Sequence, residues 1–221
     1  MNFDFAYLLD VAPELAWATF VTIYLAIAGY IVALVLGLVF ALLRLSSNRW
    51  VARGTLGFCE FVRLTPLLVQ LFFAFYVLPA YGIRIGAEVT GIIVIGLHYA
   101  TYTAEVYRAG IQAVERGQWE ATRALGLRGF VVWREVVLPL AIPPMVPALG
   151  NYMIQLFKEV PLLSTITVYE LLNTANLLAN RSFRYVEVLT AVGLIFFAIS
   201  FPAARLFRWL DARHNLPSRR S

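Results

Sequence analysis

The sequence predicts an all-α, polytopic membrane protein with five transmembrane helices. Of its 221 residues, 61% are hydrophobic and only 14% are charged, whereas soluble domains are roughly one-quarter charged. The apolar residues also lie in long uncharged runs and not in alternating stretches of about ten residues, which disfavours an outer-membrane β-barrel. A soluble fold could not bury this much apolar surface.

Five uncharged runs define the predicted helices: 15–43, 64–83, 89–104, 136–157 and 188–204. The first run is long enough to cross about 30 Å of hydrocarbon even when tilted, and the second has prolines only near its ends. The third is short and contains glycine, histidine and tyrosine, so we expect it to be buried among other helices. The fourth carries four prolines, so its first half is predicted not to be one undisturbed helix.

The basic residues predict the orientation, because cytoplasmic loops are rich in Lys and Arg. With the N-terminus outside, the inner side receives all of the 18 basic residues except Arg84, Lys158, Arg181 and Arg184. The predicted order is an external segment at 1–14, a transmembrane domain at 15–210 and a cytoplasmic tail at 211–221. No basic region precedes the first run, so we expect that run to remain a span and not to be a cleaved signal peptide.

Several functional classes lack support in the sequence. Cys59 is the single cysteine, so neither an internal disulfide nor a thiolate metal cluster is expected. Neither a G-x-x-x-x-G-K-[ST] phosphate loop nor a His-Glu-x-x-His metal motif occurs, so we predict no catalytic residue, metal or cofactor, and any ATP must be bound by another chain. The basic residues lie beside apolar runs and follow membrane orientation, so no nucleic acid partner is expected.

The inner segment at about 105–138 contains Glu120-Ala121-Thr122-Arg123-Ala124-Leu125-Gly126, followed by Val136-Val137-Leu138-Pro139. This segment resembles the EAA loop of ABC importer permeases, which reads Glu-Ala-Ala, three residues, Gly, nine residues, Ile, one residue, Leu-Pro. Every spacing is met, with Thr122 and Val136 as mild departures. The stretches 60–70, 102–111 and 156–159 extend the resemblance over nearly the whole chain, to the polar amino acid permeases of the histidine, glutamate, glutamine, arginine and opine group.

This resemblance implies the type I ABC importer permease fold (the MetI-like fold) in the bacterial inner (cytoplasmic) membrane. It implies three protein partners: cytoplasmic ABC ATPase subunits, a periplasmic or extracellular solute-binding protein, and a second permease subunit in a homodimer or heterodimer. The loop would dock in the ATPase through Glu120, Ala121, Arg123, Gly126 and Leu127. On physical grounds alone, Gly126 is predicted to be left-handed and to end a short helix with one small face.

The implied function is ATP-driven import of a polar amino acid by alternating access. A compatible solute such as ectoine or hydroxyectoine stays open, because Arg181-Ser182-Phe183-Arg184-Tyr185 is similar to permeases of that branch. The different class of stand-alone carrier or channel would require internal repeats or a self-contained proton pathway. Neither is evident in the sequence, and without repeats any two-fold symmetry must come from a second subunit.

Polar side chains within the spans are costly in a bilayer and are therefore candidates for a substrate site. Asn151, Gln155 and Glu159 recur every four residues, and with Lys158 they are predicted to share one face of the fourth helix. The resemblance implies that the Glu159 carboxylate meets an ammonium group of the substrate.

The second and third spans contribute the remaining candidates. Arg63 and Gln70 are seven residues apart and share a face, while Thr65 precedes a proline kink whose freed backbone groups could bind a carboxylate. Alternatively, Arg63 is an interfacial residue and Gln70 forms an interhelical hydrogen bond. Tyr102 completes the predicted set, and the neighbouring His98 is expected to be a packing residue more often than a ligand or proton relay.

Overall fold

The computed structural model describes residues 3–214, which form helices joined by short segments. The long helices are α1 (Phe5–Arg44), α4 (Ala87–Gln112), α7 (Leu138–Glu159) and α9 (Tyr185–His214). The shorter ones are α2 (Arg49–Leu64), α3 (Leu67–Phe72), α5 (Arg116–Ala124), α6 (Gly129–Val131) and α8 (Leu171–Ser182). π-Helical turns span Phe73–Val77 and Val132–Val137, and 3₁₀ turns span Leu78–Tyr81 and Val160–Ile166. The described residues contain no strand, which confirms the all-α class.

Three stretches of the described chain are long and apolar enough to cross a membrane: Phe5–Arg44, Gly129–Ile166 and Tyr185–Ala212. A fourth consists of α2 and the segment from Leu67 to Tyr81, which are bent by 99° at the break between them. The predicted span at 89–104 lies within α4, which does not meet the same test of length and apolarity, so the predicted number of five is approximate. Along α1, exposed Trp17, Phe20 and Ile31 provide the apolar surface that hydrocarbon requires.

Helix α4 lies at the centre of the bundle and packs along α1. A Cβ atom on Gly96 would lie 2.6 Å from a Val32 methyl carbon and 2.9 Å from the Gly29 carbonyl oxygen, so only glycine permits this approach. Further along, the Thr103 hydroxyl donates to the Ala33 carbonyl at 2.8 Å. These contacts confirm that the third run is buried among other helices.

The prediction that the first half of the fourth span is not one undisturbed helix is wrong from Leu138 onwards. Helix α7 is continuous from Leu138 to Glu159 with Pro143, Pro144 and Pro147 inside it. The φ of about −65° that proline imposes is itself helical, so the chain loses individual hydrogen bonds without leaving the helical path. The irregular backbone lies before α7 instead, in the π-helical turn Val132–Val137.

One end of the bundle joins the start of α1 to the start of α9. The external segment predicted at 1–14 is helical from Phe5, and Asp4 before it forms an ion pair with Arg184. Nearby, the fully buried Glu170 caps α8, because its carboxylate accepts the N–H groups of Leu172 and Asn173 at 2.9 and 2.8 Å. Burial raises the pKa of Glu170 to about 7.

The opposite end of α1 is fastened to α4 by charge. The Glu105 carboxylate pairs with both Arg44 at the end of α1 and Arg108 one turn further along α4. Of the predicted cytoplasmic tail, residues 211–214 belong to α9, and residues 215–221, with Arg219 and Arg220, lie outside the described residues.

Candidate functional site

The second span is broken at Thr65-Pro66, where the sequence predicted a kink. Pro66 has no N–H, so α2 ends at Leu64 and the chain turns by 99° before α3. The Gln70 side-chain nitrogen lies 2.6 Å from the Val62 carbonyl oxygen and 2.8 Å from that of Thr65, so the amide donates to both. The Val62 and Thr65 carbonyl groups at the break are therefore already bonded within the chain.

The same Gln70 nitrogen lies 3.1 Å from Nδ1 of His98 on α4. His98 is only 7% exposed, and its ring packs against those of Tyr99 and Tyr102 with centroids 5.7 and 5.5 Å away. The structure thus agrees with the interhelical hydrogen bond that the sequence left open for Gln70. It also gives His98 a buried packing position.

Three tyrosines form a cluster, called here the tyrosine cluster, where α4 meets α7. Tyr99 and Tyr102 are one turn apart on α4, and Tyr152 approaches both from α7. The ring centroids of Tyr102 and Tyr152 are 5.4 Å apart, and those of Tyr99 and Tyr102 are 5.9 Å apart. Only Tyr102 was predicted as a site residue. The spacing of Tyr152 and Glu159, seven residues apart on one helix, was a signal that could have identified Tyr152.

Glu159 at the end of α7 faces this cluster. Its Oε2 atom is buried and has no hydrogen-bond partner, while its carboxylate is close enough to Tyr99 for a side-chain interaction. Arg63, in the last turn of α2, is also partly buried. On the other side, Arg63 follows Val62, whose carbonyl group Gln70 links to His98, and the His98 ring packs on Tyr102.

The other predicted residues of α7 lie on a different face. Asn151, Gln155 and Lys158 are exposed on this single chain and form a polar stripe along the helix, while Glu159 is partly buried towards the tyrosine cluster. Thr65 is partly buried at the break, and its hydroxyl donates to the Phe61 carbonyl at 2.8 Å. Among the described residues no group of three or more His, Cys, Asp or Glu side chains could hold a metal ion.

Helix α5 carries the segment that resembles the EAA loop. Glu120, Ala121 and Arg123 are exposed on it, and Gly126 beyond its end has φ +64°. The Gly126 N–H donates to the Arg123 carbonyl at 3.0 Å, and the Leu127 N–H donates to the Thr122 carbonyl at 3.1 Å. This pair of bonds is the Schellman motif, which confirms the predicted left-handed glycine.

The projection formed by residues 116–127, called here the knob, is anchored on one side and open on the other. Trp119 packs edge-on against Trp133, with ring centroids 5.9 Å apart, and Thr122 is buried. On the open side Leu125 is 74% exposed and the nearby Phe130 is also 74% exposed. A rigid knob with exposed apolar and charged side chains is suited to insertion into a cleft on another protein.

Comparisons with known proteins agree with this architecture. The profile of the family described as "Binding-protein-dependent transport system inner membrane component" matches residues 29–215. A probable amino-acid ABC transporter permease of Sinorhizobium fredii is 44% identical over 218 residues, covering 99% of this chain and 94% of that protein. A nopaline transport system permease of Agrobacterium fabrum is 35% identical, covering 92% of this chain and 88% of that protein.

Solved structures give the same result for the fold. A chain in the crystal structure of an amino acid ABC transporter with histidines is 31% identical, with a TM-score of 0.87, covering 96% of this chain and 100% of that one. A chain of an inward-facing methionine ABC transporter is 18% identical, with a TM-score of 0.67, and shares the fold. The protein is therefore a multi-pass membrane protein and not an enzyme. It belongs to the inner membrane component family of binding-protein-dependent transport systems, as a permease subunit of an ABC importer.

Proposed function

We propose that the protein imports a polar amino acid by ATP-driven alternating access, and that the substrate binds between Arg63 and Glu159 beside the tyrosine cluster. The observation that carries this proposal is the buried, unpartnered Oε2 atom of Glu159 beside the tyrosine cluster. A zwitterion has a carboxylate that Arg63 would meet and an ammonium group that Glu159 would meet. The unpartnered Oε2 of Glu159 supplies a strong acceptor, and the tyrosine rings supply π-faces that favour a cation.

The substrate class is supported by the relatives, which are named for the transport of amino acids and of nopaline. Ectoine also combines a carboxylate with a cationic group, so the same pair of charges would accept it. We favour the amino acid because the names of the relatives point to that class. Ectoine is therefore included as an outcome of the test below.

The partners follow from the two exposed polar surfaces. We propose that the knob docks through Glu120, Ala121 and Arg123 with a separate cytoplasmic ATPase subunit, with Gly126 and Leu127 shaping its end. The polar stripe on α7 would be costly against lipid, so we propose that it faces a second permease subunit across the transport path. A solute-binding protein would deliver substrate to the opposite, external side, where the N-terminus lies.

The test is equilibrium binding to the purified permease–ATPase complex without the solute-binding protein, so that only the permease site selects. Arginine, histidine, glutamine, octopine and ectoine are titrated first. The methyl ester and the deaminated analogue of the tightest ligand follow. We expect an amino acid to bind and both analogues to bind at least about tenfold more weakly, since each leaves one charged partner unmatched.

Three results would contradict the proposal. Binding of ectoine alone would replace the amino acid as substrate. Equal binding of the ester and the parent amino acid would remove Arg63 from the site. In liposomes, uptake should require the ATPase subunits and ATP, and uptake by this chain alone would contradict ATP-driven import.

A further inference from the structure

The break in the second span creates a local deficit of hydrogen-bond donors. In an uninterrupted helix the N–H of residue 66 would donate to the Val62 carbonyl, but Pro66 has no N–H. The N–H of Val69 would likewise donate to the Thr65 carbonyl, but it donates to the Pro66 carbonyl at 3.0 Å instead. At membrane depth no water is at hand to satisfy the two oxygens, so each must find a donor within the protein.

Gln70 supplies both donors. Its side-chain nitrogen lies 2.6 Å from the Val62 oxygen and 2.8 Å from the Thr65 oxygen. An amide nitrogen carries two hydrogens, so these two bonds use its whole donor capacity. Gln70 therefore has no donor left for a substrate carboxylate, although the sequence predicted it as a substrate ligand.

The third contact of the same nitrogen links the break to the central helix. His98 Nδ1 is 3.1 Å away, and it can share one of the amide hydrogens only as an acceptor, with the ring proton on Nε2. His98 is buried on α4, whose glycine-mediated packing on α1 makes it the fixed element of the bundle. The end of α2 that bears Arg63 is thus fastened to α4 at one point.

We infer that Gln70 is a positioning residue: it completes the helix break in place of the N–H that Pro66 lacks, and it holds the break against α4 through His98. This inference rests on the proposed substrate site, because Arg63 on the last turn of α2 is the group that Gln70 positions. Loss of the amide would loosen residues 61–72 and slow the transport cycle. It would leave the contacts of bound substrate unchanged.

The decisive variants are Gln70→Met, which keeps the side-chain length but has no donor, and the same change combined with Pro66→Ala, which restores a backbone N–H. Hydrogen exchange of residues 61–72 is measured in the assembled permease–ATPase complex, together with binding and substrate-stimulated ATP hydrolysis. We expect Gln70→Met to speed exchange about tenfold and to lower the maximal hydrolysis rate, with the half-saturation point within about twofold. Pro66→Ala should return exchange to within about threefold of the original protein, because Thr65, which is extended with ψ 128° before the proline, can then adopt helical torsions and residue 66 can donate to the Val62 carbonyl.

Control variants separate this role from general damage. Val69→Met changes the neighbouring exposed side chain and should behave like the unmodified protein in all three measurements. His98→Leu removes the acceptor and should speed exchange of residues 61–72, whereas His98→Asn keeps an acceptor on a shorter side chain and should speed it less.

Three results would overturn the inference. The first is a half-saturation point raised about tenfold by Gln70→Met with unchanged exchange, which would make Gln70 a substrate ligand. The second is failure of Pro66→Ala to restore slow exchange, and the third is an equal effect of His98→Leu and His98→Asn. Exchange needs no substrate, so if none of the compounds binds, the proposed function fails while the exchange comparison still decides the role of Gln70.

Discussion

Replacing Glu159 by Gln tests the proposed substrate site most directly, because the two side chains have nearly the same shape and the change removes the negative charge. A hydrogen bond to a charged group contributes roughly 1.5 to 3 kcal/mol. We therefore expect Glu159→Gln to weaken substrate binding by about one to two orders of magnitude.

Glu159→Gln should not lower the thermal stability of the complex, although it weakens binding. In the substrate-free chain Glu159 Oε2 is buried without a partner, and leaving such a group unsatisfied costs about 1 to 3 kcal/mol, more when the group is charged. The neutral amide lowers that cost, so the thermal midpoint of the complex should stay the same or rise. Weaker binding at equal or greater stability is the signature of a residue kept for its ligand.

The assay combines binding isotherms with thermal unfolding of the same permease–ATPase complex. Glu88→Gln is the matched control, because Glu88 is an exposed carboxylate at the start of α4, and its replacement should leave affinity unchanged. No ion pair joins Glu159 to Lys158 within residues 3–214, so neutralisation by that neighbour does not explain the carboxylate. Unchanged affinity with a lower thermal midpoint would refute the reasoning and make Glu159 a structural residue.

Three further predictions concern other parts of the chain. Gly126→Asp should abolish both copurification with the ATPase and uptake, because it adds charge and backbone strain at φ +64°. Gly126→Ala adds only the strain, about 1 kcal/mol, and should retain part of both activities. Equal effects of the two variants would show that the charge has no role. A reporter active only in the cytoplasm should work within 116–128 or after Arg213 and fail at the N-terminus, and activity at the N-terminus would overturn the orientation. The folded Glu170 carboxyl holds its proton up to about pH 7, while the unfolded one loses it near pH 4.5. The free energy of unfolding should therefore fall by about 3 kcal/mol as the pH rises from 4.5 to 7, measured by thermal unfolding. This fall should vanish in Glu170→Gln, and its persistence there would assign it to another group.

Local chemistry predicted much of the fold and of the knob from the sequence. Apolar runs located the helices, and the small residues of the third run indicated its burial. Gly126 was predicted to be left-handed from its place after a short helix, since that requirement involves only neighbouring residues. The continuity of α7 could not be predicted in the same way, because a proline permits the helical φ even where it removes a bond.

The candidate site was harder to predict, because it depends on contacts between distant parts of the chain. Gln70 and His98 are 28 residues apart, and only the packing of the break on α4 brings them within 3.1 Å. Tyr152 joins Tyr102 for the same reason, across two helices. Periodicity assigned Glu159 to the same face as Asn151 and Gln155. Eight residues after Asn151, however, a helical side chain is rotated by about 80° around the axis, and this rotation turns Glu159 towards the tyrosines.

The close packing of α4 on α1 has a mechanical consequence. With 26 residues, α4 is about 39 Å long at 1.5 Å per residue, and its two ends lie near the knob and near the opposite surface. A rod of that length converts a tilt of roughly 5° into a displacement of about 3 Å at its far end, comparable to the length of one hydrogen bond. An angular change too small to disturb the packing between the two helices is therefore large enough to make or break a substrate contact at a distance, and rotation of this stiff pair can carry force across the bilayer without any helix unfolding.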